Sequence, residues 1–137
     1  MPRGGGRSTR WGGWELSDER GDGECEVQTG AAAAAAKLYK LSADQIVAAF
    51  GVSGSQAAGS LQFLVNGAWN KRYQVGAAAM NGVVAASLAR EGFIGATESV
   101  EGKHGLLVGY SDDAHPDKAT AGLGKIYETM KIGVKPY

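Results

Sequence analysis

Residues 50–93 read FGVSGSQAAGSLQFLVNGAWNKRYQVGAAAMNGVVAASLAREGF, and this stretch decides the fold. No charge falls between Asp44 and Lys71, and none between Arg72 and Arg90. Lys71 and Arg72 stand alone between two uncharged runs dense in Ala, Gly and Ser, with a few large apolar residues. Such runs predict helices buried on most sides and packed closely, with a short polar turn between them. A cationic pair in that turn is placed to face a cavity.

Working outward, each helix carries its own signals. Over 76–91, Met80, Val83, Val84 and Leu88 recur at helical spacing, the alanines among them let neighbouring helices come close, and Gly92 follows as a C′ residue. A second helix is predicted over 55–65, with Leu61, Leu64 and Val65 on one side and Asn66-Gly67 as its stop. Upstream, Ser42 reads as an N-cap, and Gln45 three residues later completes a capping box. Ile46, Ala49, Phe50 and Ser53, with Val47, then give a helical face. The six alanines 31–36 form a helix that loses almost no side-chain entropy. Downstream, Thr97 is placed to cap a short helix through Glu101, 102–109 reads as irregular or briefly helical, and 111–113 as a turn. Pro116 is placed to open another short helix. The end of the chain turns extended, because Lys135 precedes Pro136. The expected class is all-α.

The 137 residues, 44% of them hydrophobic, suit one small domain with a core. Zero net charge gives no electrostatic pull toward nucleic acid or an anionic membrane, so neither is an expected partner. A span within 45–70 is disfavoured by Gln56, Gln62, Asn66 and four glycines. The lone Cys25 has no internal disulfide partner. Arg3, Arg7 and Arg10 are not followed by the apolar run of a secretory signal. They loosely suit a mitochondrial leader, but six acids follow by Glu26. A cytoplasmic location is expected, with a mitochondrial one as the alternative. Residues 1–29 hold seven of the 22 glycines and show no period of 2 or 3.6, which predicts a disordered or unrelated segment.

Gly54-Ser55-Gln56-Ala57-Ala58-Gly59, Gly67-Ala68-Trp69-Asn70-Lys71-Arg72, Gly76-Ala77-Ala78-Ala79 and Leu88-Ala89-Arg90-Glu91-Gly92-Phe93 recur in order, followed by Leu123-Gly124 and Ile132-Gly133-Val134-Lys135-Pro136-Tyr137. This series resembles the MmgE/PrpD family, which includes 2-methylcitrate dehydratases and cis-aconitate decarboxylases, from about Gly30 to Tyr137. The resemblance implies a partial helical domain over 30–131. Residues 132–137 would begin the connection to a smaller α+β lid that the chain does not contain. It implies a lyase acting on tricarboxylates without metal or cofactor, and a homodimer in the full-length family. It also implies that Lys71 holds or polarises a substrate carboxylate, and that Lys135 is a second active-site lysine. Gln74 and Val75 stand where many members carry His-Pro. The acidic and histidine members of the family's site fall outside the matching stretch, so the expected product is an incomplete, inactive fragment. The alternative is a non-catalytic helical interaction or remnant protein.

Each candidate has a plainer reading beside it. Lys71 and Arg72 also suit a solvated loop pair, and Lys135 a charged residue near a chain end. His104 and His115 have no ligand-spaced cysteine or carboxylate. Gly54-x4-Gly59-Ser60 has the glycine spacing of a phosphate loop but lacks its lysine.

Overall fold

A computed structural model describes residues 23–56, 59, 62–110 and 113–127. Among these, the regular elements are helices, as the sequence predicts: α1 (Gly23–Leu38), α2 (Ala43–Gly54), α3 (Phe63–Asn66), α4 (Asn70–Arg90), α5 (Leu106–Tyr110) and α6 (Pro116–Thr120). α1, α2 and α4 pack on one another and hold the core. Gly82 of α4 meets Gln28, while Ser87 and Arg90 meet Tyr39, so α1 and α4 run in the same direction. Gln45 at the start of α2 reaches the end of α4, and Ser53 near its end meets Gln28, so α2 runs back against both.

The core is built of methyl groups. Ala32, Ala35, Ala36, Ala49, Ala78, Ala85, Ala86 and Ala89 are buried, with Val52 and Phe63 the larger buried apolar residues. Small side chains let backbones approach. A Cβ on Gly82 would stand 2.4 Å from the carbonyl oxygen of Gln28, and one on Gly51 would stand 2.3 Å from the backbone of Ala96. Neither position has room for a side chain.

The caps follow the sequence closely. Ser42 Oγ accepts from the Gln45 N–H at 3.3 Å, and Gln45 Oε1 accepts from the Ser42 N–H at 3.1 Å. α1 and α4 both end in Schellman motifs. At α1, Leu41 N–H donates to Ala36 and Lys40 N–H to Lys37. At α4, Phe93 N–H donates to Leu88 and Gly92 N–H to Ala89, with Gly92 at φ 88°. Gly67, at φ 64°, stops α3 as predicted, and Pro116 opens α6.

Four expectations need correction. Helix α1 starts at Gly23, so the last part of the segment assigned to residues 1–29 belongs to the bundle. The reason is Gln28, 2% exposed, whose Nε2 donates to the carbonyl oxygen of Ser53 at 2.5 Å and satisfies a buried acceptor at the end of α2. Helix α4 starts at Asn70, six residues before the predicted start at Gly76. The described part of 55–65 is helical only from Phe63, while Ser55 and Gln56 form a turn. Thr97 to Glu101 is a turn, closed by the Gly102 N–H donating to Glu98. Residues 1–22 and 128–137 lie outside the described residues, and with them the proposed connection at 132–137.

Candidate functional site

The site is built on the first turn of α4. Lys71 and Arg72 lie in that turn, not in a loop between helices. Their surroundings are electrostatically one-sided. A helix N-terminus carries about half a positive charge, which favours acids and disfavours cations. Here the first turn holds no acid, and Trp69 at the N-cap provides no side-chain cap. Both basic residues therefore lie against the helix dipole, at an end that the N-cap side chain does not cap.

The two cations point differently. Lys71 starts the row that farther along becomes the core: positions 71, 78, 82, 85 and 89 fall on one face of a helix, and the last four are buried. Helix α1, described from Gly23, covers this row where Gln28 meets Gly82, and Lys71 lies beyond that cover and is exposed. No described carboxylate pairs with Lys71. The Arg72 guanidinium instead sits 5.4 Å from the centre of the Trp69 ring, a cation–π contact that draws it to the side of the helix. Arg72 thus has a ring partner, whereas Lys71 has no ion pair among the described residues.

Gln74, one turn after Lys71, is half-buried, and it occupies the position where the resemblance leads one to expect histidine. Its burial was not assigned from the sequence, although a signal for it was present. The signal was its place three residues after Lys71 and four before Ala78 on the inward side of α4. Gln28 was likewise missed, because its partner Ser53 is 25 residues away.

The other candidates lie apart. Lys135 falls outside the described residues. Lys103 and His104 line an open surface hollow of about 440 Å³ with Thr97, Glu98 and Ser99. His115 Nε2 lies 3.3 Å from Asp113 Oδ2, next to the start of α6, a local hydrogen bond between near neighbours in sequence. Cys25 falls in the first turn of α1. Among the described residues, no three His, Cys, Asp or Glu side chains are grouped as metal ligands, and no helix is long and apolar enough to cross a membrane.

The MmgE/PrpD N-terminal domain model matches residues 19–119, eleven residues further upstream than the motif series alone suggests. The chain is also 35% identical over 112 residues to the cis-aconitate decarboxylase-like protein oryM of Aspergillus oryzae. That alignment covers 77% of this chain and 23% of the relative, so the chain spans less than a quarter of that protein's length. No solved structure matches it.

Proposed function

This chain belongs to the MmgE/PrpD family, and from that premise we propose that it carries the carboxylate-holding lysine of a tricarboxylate lyase site, at Lys71. The observation that carries the reading is the first turn of α4, where an exposed lysine, with no ion-pair partner among the described residues, stands against the dipole on the inward row of the helix. An anion there offsets two like charges and a helix dipole at once. A polycarboxylate such as cis-aconitate or 2-methylcitrate supplies that charge.

Eliminating water or carbon dioxide from such a substrate requires cations on the carboxylates, a base for the proton beside one of them, and an acid for the leaving group. Lys71 supplies the first requirement. Among the described residues, neither a histidine nor a carboxylate forms an ion pair with it to supply the others. Lys135 is proposed as the second cation of the complete site. Acid–base groups contribute roughly 10²- to 10⁴-fold each, and only when placed together. The chain alone therefore binds a tricarboxylate weakly and does not turn it over.

The test is titration of the full chain with cis-aconitate and 2-methylcitrate, followed by NMR, beside Lys71→Ala and Arg72→Ala. Binding is expected near the millimolar range, about −4 kcal/mol, and weaker as salt shortens the screening length to below about 10 Å. Lys71→Ala removes most of it, and Arg72→Ala removes less because Trp69 already engages that guanidinium. Equal affinity in the wild type and Lys71→Ala sinks the assignment. Turnover of either acid by the chain sinks the claim that it is inactive alone.

A further inference from the structure

After α4 the chain turns back along α2. A Cβ on Gly95 would collide with the backbone of Ala48, one on Gly51 with the backbone of Ala96, and one on Gly54 would stand 3.5 Å from Ser99 Cβ. Residues 95–99 therefore run alongside α2 in its own direction, pressed against its backbone at Gly95 and Ala96. Beyond them, the Gly102 N–H donates to the Glu98 carbonyl at 2.9 Å, and the Leu106 and Leu107 N–H groups donate to those of Ser99 and Val100 at 2.8 and 3.0 Å. These bonds fold residues 96–105 into a set turn around the open hollow of about 440 Å³. That volume falls within the roughly 300–1,000 Å³ of small-molecule sites.

The lining carries both signs of charge. Glu98 and Lys103 face the hollow with the hydroxyls of Thr97 and Ser99 and the imidazole of His104. Glu98 and Lys103 share this hollow without pairing with each other, and neither takes part in another ion pair among the described residues. A ligand that is only an anion meets the Glu98 carboxylate, and one that is only a cation meets the Lys103 ammonium. A ligand with both charges finds an opposite partner for each. The C-terminal end of α2, the negative end of its dipole, lies at Gly54 beside Ser99 and adds to the pull on a ligand ammonium. The two hydroxyls can donate or accept, so they suit either end of such a ligand. We propose that the hollow binds a small zwitterion, an α-amino acid, with its ammonium at Glu98 and its carboxylate at Lys103.

Lys71 does not line this hollow, so the proposal does not rest on the tricarboxylate reading and fails or stands separately from it. The test follows the backbone amide resonances of residues 96–105 in the full chain during titration with L-alanine, propionate and ethylamine. L-Alanine is expected to shift them with a millimolar dissociation constant, weak because Glu98 and Lys103 are exposed to water. Propionate lacks the ammonium and ethylamine the carboxylate, and each is expected to bind about tenfold more weakly. Glu98→Gln should bring L-alanine down to the affinity of propionate, and Lys103→Gln should bring it down to that of ethylamine. Lys71→Ala should change none of these. The absence of shifts at 96–105 with L-alanine at concentrations that fill a millimolar site overturns the proposal. So does a wild-type chain that binds L-alanine and propionate equally, or a preference for L-alanine that survives in both variants. Should either variant misfold, the three ligands on the wild-type chain still decide whether both charges are read.

Discussion

Lys40 closes α1 in a conformation that costs an L-residue energy. Its φ of 57° is left-handed, and it holds the C′ place of a Schellman motif that Gly92 holds at the end of α4. Glycine takes this conformation without the Cβ clash, worth roughly 1–2 kcal/mol. Lys40→Gly is therefore expected to stabilise the chain by about 1 kcal/mol, less some added freedom in the unfolded state. Urea unfolding checks it, and a lower midpoint contradicts it. Gln45 works in the opposite sense. It completes the capping box of α2, and its Nε2 lies 3.4 Å from the carbonyl oxygens of both Ala89 and Arg90 at the end of α4. Gln45→Ala is expected to cost about 1–2 kcal/mol, which is more than a cap alone loses at an isolated helix. A loss no larger than that of Asp44→Ala would show that the link to α4 contributes nothing. The capping box was legible because Ser42 and Gln45 are three residues apart and the pattern is local. The link from Gln45 to α4 was not, since its acceptors lie 44 and 45 residues away.

At the scale of one helix, α4 shows why its length and class could be read while its inward face could not. The uncharged run and Gly92 marked its extent to within one turn at the C-terminal end. Burial reverses the usual order of size: the large residues Met80, Val83 and Val84 lie outside and the alanines inside. Spacing identifies which residues share a face, and the choice between faces came from α1, whose alanine run has no phase of its own. The same inversion predicts opposite signs for one substitution on one helix. Gly82 touches the α1 backbone, so Gly82→Ala must push the helices apart and is expected to cost about 1–3 kcal/mol by overpacking. At Gly76 an added Cβ meets nothing within 4 Å, so Gly76→Ala is expected to stabilise the helix by about 0.5–1 kcal/mol. Thermal unfolding of the two variants in dilute solution compares them directly. Shifts of the same sign would mean that α1 and α4 do not cross at Gly82.

For the whole molecule, the composition of the core sets how stability is distributed. A buried methyl contributes about 0.8 kcal/mol, against about 1.5–3 kcal/mol for a fully buried large apolar side chain. The interfaces among α1, α2 and α4 are mostly methyls, so they depend on many close contacts rather than a few strong anchors. Helices α5 and α6 have five residues each, too short to hold without tertiary support, and they pack little on the other helices. The helical unit expected over residues 30–131 is therefore uneven. Its slowest-exchanging amides should lie on the shared faces of α1 and α4, at Ala35, Ala36, Ala85, Ala86 and Ala89. The amides of 107–110 and 117–120 should exchange by local opening, orders of magnitude faster. Hydrogen exchange followed residue by residue measures this. Protection over 117–120 equal to that over 82–89 would show that α6 is folded into one cooperative body with α4, and that the alanine core extends its stability to the end of the unit.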